Sequence, residues 1–392
     1  MLKNGHISFL TLLMSGMMLL MTGACSSSSE EWQEGGMDKK PVMLAIYVYA
    51  PEQAAAAQKK AAQTRADVRK VDAISAAERE IKSLQLWIYE SDGSSSPGKY
   101  VGYLSTDDVA SLNSGEGTTY QIPVSDEFAA SEPKVVDVYV QANVKPENCG
   151  VGTLNKETSR TDLIAGAKIV ESKFGLSPLT IEVPTDGLPM AGYLTTQPVV
   201  GDAPALRVGT TAQVSTVSLT RAVSKLRFVF AKTEGEAEVK ITSIKIDAEM
   251  IPKDEYLFKK PESVTITYNT SAGELLSSPI DDIAETADPT QYMYVDQEAQ
   301  EYEDLINGAN LTVRGPIYLR ESDKRLTGTI SYEIDGAAQE PVNFQMQQAG
   351  DFSRNHTWIV YAYYAGAGGL QVQSLYVKEW SGKEMAHSFY NW

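Results

Sequence analysis

Short runs of apolar, β-branched and aromatic residues, broken by turn residues, recur along the whole chain. The first, Val42 to Tyr49, lies between Pro41 and Pro51 and reads VMLAIYVY. Val42, Leu44, Ile46 and Val48 alternate onto one face, and Met43, Ala45, Tyr47 and Tyr49 onto the other. A strand apolar on both faces is predicted to sit inside a sandwich and not on a sheet edge. The same pattern predicts strands at Leu84 to Tyr89, Val135 to Val144, Leu179 to Val183, Leu188 to Leu194, Gln213 to Leu219, Lys225 to Phe230 and Val239 to Ile246. Further runs follow at Ser263 to Tyr268, Asn310 to Val313, Ile317 to Leu319, Leu326 to Ile334, Val342 to Met346, Thr357 to Tyr364 and Leu370 to Trp380. This rhythm is that of antiparallel β-sandwiches, not of βαβ units. It predicts an all-β chain with two tandem β-sandwiches, residues 41–213 and 214–392, divided near the weakly patterned Gly201 to Gly209 stretch.

Three segments break the rhythm. Ile7 to Met21 is an apolar run too short to span a bilayer, which needs about 20 residues. It follows Lys3 and ends in Thr22-Gly23-Ala24-Cys25, the pattern of a secretory signal over residues 1–24. Small residues before a cysteine resemble a bacterial lipobox, so Cys25 is the expected lipidation site, and 25–40, opening with four serines and two glutamates, is a tether. From Glu52 to Ile81 the chain is rich in Ala, Lys, Arg and Gln with few large apolar residues. Helix propensity is high there, but little can be buried, so the stretch is either an exposed, protease-accessible linker or a solvated surface helix. In the tail, the alternation set by Leu370 and Val372 changes phase at Ser374 to favour Leu375 and Val377. That predicts a bulge or a split into two segments.

Composition narrows the function. Lys and Arg total 34 against 51 Asp and Glu, for a net charge of −17, and no basic stripe exists. Nucleic acid is therefore not a partner, since phosphate binding needs clustered cations. With only three histidines and two cysteines, His/Cys metal sites and His-dependent nucleophiles are not expected, and neither catalytic residues nor cofactors are assigned. If Cys25 is lipidated, Cys149 has no partner in the chain and reads as a free structural thiol. Asp281-Asp282 and Glu301-Tyr302-Glu303-Asp304 lack the spacing of a calcium loop and read as solvated faces.

One stretch carries a family likeness. Arg221-Ala222-Val223-Ser224-Lys225 lies inside a strand-like run. Leu188-Pro189-Met190-Ala191-Gly192 precedes it, and Arg354-Asn355-His356 before a hydrophobic strand and Val377 to Trp380 near an aromatic last residue, Trp392, follow it. In this order, behind a lipoprotein signal, the segments resemble the fimbrillin family, the type V pilin subunits of Bacteroidales. The resemblance runs from the signal to the final residue.

The resemblance implies two transthyretin-like β-sandwiches carried to the outer membrane by a lipid anchor and exposed at the surface. An Arg-specific protease is then expected to cut between Arg65 and Ala66, with Arg69 as the fallback. The first strand, with Val42, Leu44, Ile46 and Val48, leaves, and the C-terminal segment of another fimbrial subunit fills the groove through Leu375, Val377 and Trp380. The implied function is that of a non-enzymatic fimbrial subunit supporting adhesion. Alternatives are a lipid-retained anchor, a minor or tip subunit of the same family, or a surface glycan-binding lipoprotein using exposed aromatics. Trp87, Trp358 and Trp380 fall in predicted strands, where burial is the commoner fate.

Overall fold

The computed structural model describes residues 43–50, 75–91, 98–115, 117–124, 134–145, 152–171, 173–174, 176, 180–194, 207–208, 215–235, 237–258, 260, 263–292, 310–346 and 352–379. Cys25, Val42, Arg65, Ala66, Arg69, Cys149, the 301–304 acidic cluster and Trp380 lie outside them.

The first half supplies β1 (Met43–Tyr49), β2 (Leu84–Glu90), β3 (Tyr100–Thr106), β4 (Thr118–Pro123), β5 (Lys134–Ala142), β6 (Lys168–Val170), β7 (Met190–Leu194), β8 (Arg207–Val208), β9 (Ser215–Ser218) and β10 (Thr220–Arg221). Short helices α1 (Ala76–Arg79), α2 (Ala110–Ser114) and α3 (Arg160–Gly166) interrupt them. One sheet has the order β4-β1-β9, and a second runs β10-β7-β5-β2-β3 with β8 beside β5. The two sheets face each other across a core that includes Leu44, Ile46, Val48, Leu86, Ile88, Ile122, Val138, Val140 and Val217. Alternating apolar side chains from both inner faces fill it, as a sandwich requires.

The second half contributes β11 (Ser224–Thr233), β12 (Val239–Ile246), β13 (Asp254–Tyr256), β14 (Gly273–Glu274), β15 (Glu285–Thr286), β16 (Thr312–Leu319), β17 (Thr327–Ile334), β18 (Ala337–Ala338), β19 (Val342–Gln345), β20 (His356–Tyr364) and β21 (Leu370–Glu379). Its sheets run β15-β11-β20-β21 with β16 on β11, and β14-β12-β17-β18 with β19 on β17. Phe228, Phe230, Ile241, Ile244, Ile330, Phe344 and Trp358 are part of the core between them. The fold is all-β, built as two sandwiches. The change of sheet partners falls after Arg221, because β9 and β10 pair with β1 and β7 of the first half.

A third apolar layer joins the sandwiches. Trp87, Tyr89 and Tyr139 project from the outer face of the β2–β5 sheet and meet Leu163, Leu257, Phe258 and Tyr318. A two-stranded ribbon pairs β6 with β13 across the halves.

Several expectations need correction. Leu179 to Val183 and Ser263 to Tyr268 form no strand among their described residues; Tyr268 makes only an isolated bridge to Pro252. The separate strands expected at 310–313 and 317–319 are one strand, β16. Of the Glu52 to Ile81 stretch, the described part holds one four-residue helix, α1.

Candidate functional site

β1 is an internal strand, held antiparallel by β4 with Ile46 opposite Tyr120, and parallel by β9 with Ile46 opposite Ser215. Both neighbours lie far along the sequence, so β1 has no hairpin tying it down. Leu44, Ile46 and Val48 are buried, and Ala50 just beyond is buried as well. As expected of a strand apolar on both faces, β1 is not an edge strand, but its two faces differ: the inner one fills the core, while Ala45, Tyr47 and Tyr49 are half-buried and the Tyr47 and Tyr49 rings stack 6.4 Å apart on the outer one. Taking β1 away would leave β4 and β9 with facing unpaired edges over a trough that Tyr120, Ile122, Val217, Leu86 and Ile88 help to line. An edge of this kind recruits a strand.

The C-terminal segment is differently placed. Among the described residues β21 is the outer strand of its own sheet and pairs with β20 alone, with Tyr364 opposite Leu370 and Ile359 opposite Leu375. Leu370 is buried and Val372 half-buried against the second core. By register Gln371 and Gln373 lie opposite Tyr363 and Tyr361, whereas Leu370 and Val372 share the core-facing side. The ladder itself stays regular through Ser374, opposite Val360. The irregularity expected at Ser374 instead falls between Val377 and Glu379, which pair with Thr357 and His356.

The Arg221–Lys225 segment is built into the fold. Lys225 on β11 is fully buried, and its Nζ lies 2.9 Å from Glu78 Oε1 on α1. The Tyr318 hydroxyl donates to the same oxygen at 2.9 Å, and Arg221 Nε donates to the Glu78 carbonyl at 3.0 Å. Burial pushes the Glu78 carboxyl up, but the Lys225 ammonium and hydrogen bonds from Ser75, Lys225 and Tyr318 outweigh it and hold the group below its ordinary value.

Arg354 of the Arg354-Asn355-His356 segment donates through Nε and Nη2 to Glu321 Oε1 at 3.0 and 2.7 Å, and its Nη2 lies 2.9 Å from Glu255 Oε1. His356 is buried, with Nδ1 2.8 Å from the Arg354 carbonyl. The Ser353 hydroxyl lies 3.3 Å from the same ring nitrogen, and the ring and hydroxyl sit together in this network of structural ties. Asp281 and Asp282 pair with Lys240 and Lys232, and among the described residues no group of three or more His, Cys, Asp or Glu could hold a metal ion. Trp87 and Trp358 are fully buried, which removes both as sugar-stacking platforms.

Solved structures match most of the chain at low sequence identity. The chain is similar to fimbrial and cell-adhesion proteins of Bacteroidales. The tip fimbrial protein Mfa3 from Porphyromonas gingivalis, with a C-terminal truncation, is 13% identical over 86% of this chain and 100% of its own, with a TM-score of 0.44. A fimbrial assembly protein from Parabacteroides distasonis shares 12% identity over 86% of this chain and 96% of its own, at a TM-score of 0.41. A second protein of that organism, provisionally named for cell adhesion, shares 12% over 86% and 97%, at 0.45. No known family profile matches the sequence, and no curated protein does.

Sequence reasoning missed Glu78 and Tyr318. The capping-box pattern Ser75-Ala76-Ala77-Glu78 was legible as a helix start. The burial of its glutamate under strands from the other sandwich was not.

Proposed function

We propose that the chain is a structural fimbrial subunit, exported as a lipoprotein through Cys25, cut after Arg65 by an Arg-specific protease, and polymerised at the cell surface by strand exchange. The observation that carries this reading is the placement of β1. It is an internal strand that fills a core with Leu44, Ile46 and Val48, yet its covalent link to β2 runs through the segment that contains Arg65. One cut there converts β1 from part of the chain into a bound peptide. The vacated trough needs an apolar strand, and 370–392 is the candidate donor, with Leu375 and Val377 at alternate positions and Trp380 just beyond them as its anchors. Fibre partners are further subunits of this kind.

The test is N-terminal sequencing of subunits sheared from the cell surface, combined with a synthetic 370–392 peptide added to processed subunit. Fibre subunits should begin at Ala66, or after Arg69, and the peptide should raise the melting temperature and block elongation, because it binds only the folded state. Fibre subunits that still carry β1, or a peptide without effect, overturn the reading. Double pairing also favours a second role. An uncut β1 held by ladders on both edges would stay in place, as a lipid-retained anchor subunit requires.

A further inference from the structure

The stretch just downstream of the proposed cut is fastened with unusual density. Besides the contacts from Lys225, Tyr318 and Arg221, Glu78 Oε2 accepts the Ser75 N–H at 2.7 Å while Ser75 Oγ accepts the Glu78 N–H at 3.2 Å. Asn113 then brackets Ile81, accepting its N–H at 2.8 Å and donating to its carbonyl at 2.7 Å. Asn143 accepts the Lys82 N–H at 2.8 Å and donates to the Glu80 carbonyl at 2.8 Å. Arg79 lies half-buried within this stretch. It is a third arginine that an arginine-specific enzyme would recognise by side chain alone.

A protease must lay its substrate out as an extended strand so that main-chain hydrogen bonds can form on either side of the scissile bond. Around Arg79 those backbone groups are already taken, the Arg79 and Glu80 N–H groups by the Ser75 and Ala77 carbonyls of α1 and the Glu78 and Glu80 carbonyls by Arg221 and Asn143, and unwinding this turn requires Glu78 to leave a buried cation. We propose that Arg221, Lys225 and Tyr318 form a clamp on Glu78 that sets the downstream limit of the cleavable segment, confining cleavage to residues before Ser75 and sparing the Arg79–Glu80 bond. In biology this rests on the processing reading above, since an arginine-directed cut is what the clamp restricts. It also gives the two cations of the Arg221–Lys225 segment a task. A cut after Arg79 would detach Glu78 and strand Lys225 as a buried charge without its carboxylate, a strongly destabilising outcome.

The experiment uses purified full-length chain and an added arginine-specific endopeptidase, with fragments identified by mass spectrometry and backbone protection by hydrogen exchange. In the wild type, cuts after Arg65 and Arg69 should outpace the cut after Arg79 by on the order of a hundredfold, the ratio expected when one site needs local opening and the others do not. Glu78→Gln and Lys225→Met should each raise the Arg79 rate by on the order of a hundredfold and leave the linker rates unchanged. The Ile81 and Lys82 amides should lose protection while those of Val138 and Val140 in β5 keep theirs. If a single variant loses the β5 protection as well, the double variant Glu78→Gln/Lys225→Met, which removes both members of the buried ion pair together, should show the loosening at Ile81 and Lys82 alone. Wild-type cleavage after Arg79 at the linker rate overturns the clamp. So do variants that keep β5 protection and an unchanged Arg79 rate, and so does a double variant without loosening. Because the protease is added in vitro, fibres that prove unprocessed in the cell would refute the functional reading and leave this result readable.

Discussion

Replacing Ile46 by alanine tests the central proposal through its energetics. Ile46 is fully buried at the middle of β1, between β4 and β9, in the core of the first sandwich. Removing the side chain deletes its transfer free energy and leaves a cavity that a rigid two-sheet core cannot close, which together cost about 2–5 kcal/mol. For the unprocessed chain this should appear as a lower urea midpoint for the first sandwich, with an unchanged slope if only stability is altered. The processed, polymerised subunit no longer contains β1, so its stability should equal that of wild-type polymer. The assay is urea denaturation of the precursor beside thermal dissociation of fibres assembled from it. A substitution that weakens both to the same degree would mean that β1 stays in the fibre, which refutes strand replacement and favours the anchor role. A precursor that tolerates Ile46→Ala within about 0.5 kcal/mol would refute the packing argument itself.

Two more predictions test features that hold the slot and the sandwich junction. Gly102 on β3 passes so close to β4 that an added Cβ would lie 2.8 Å from Ile122 Cγ2 and 3.0 Å from the Pro123 carbonyl, so Gly102→Ala should cost about 1–3 kcal/mol in urea unfolding, and an unchanged urea midpoint would refute this. Burial pushes the Glu255 carboxyl from an ordinary 4.5 up to about 8, because Arg354 bonds mainly to Glu321 and offsets the burial only in part. The folded state therefore holds this proton more tightly than the unfolded chain. The group's contribution is fully present below about pH 4.5 and is lost as pH rises to about 8. Glu255→Gln should remove that decline, so the variant gains on wild type in thermal melts as pH rises from 5 to 9; parallel pH profiles for the two would refute it.

How far the sequence reached can be seen strand by strand. β12 was legible to the residue because VKITSIKI is apolar enough to announce itself, although its apolar set changes phase midway. A bulge between Ile241 and Ser243 resolves that, letting Val239, Ile241, Ile244 and Ile246 all face the core. β3 and β4 were missed for opposite reasons. β3 carries Gly102, which reads as a breaker but is needed where two sheets approach closely, and β4 shows only Tyr120 and Ile122 among polar residues. The internal position of β1 could be inferred from its double apolar pattern, yet its partners could not, since no local rule pairs residue 46 with residues 120 and 215. The Glu78–Lys225 pair was invisible for the same reason: two charged residues 147 positions apart become buried only when strands of the second sandwich close over α1.

The two ends of the chain differ in a way that bears on why exchange would run forward. β21 makes one ladder with β20, in nine register pairs from His356 to Tyr364. The β1 position offers six pairs with β4 and four with β9. Backbone pairing thus nearly balances when a strand leaves the first site for the second, and it cannot supply the drive. Apolar burial can. The slot accepts three large side chains, where Leu44, Ile46 and Val48 now sit, each contributing about 1.5–3 kcal/mol. Of the described β21 side chains only Leu370 is buried. That gain is comparable to the several kcal/mol that association costs in lost translational and rotational freedom. Assembly by this route therefore depends on how well each pocket is filled, and a single polar substitution at Leu375 or Val377 should shift the balance toward free subunit.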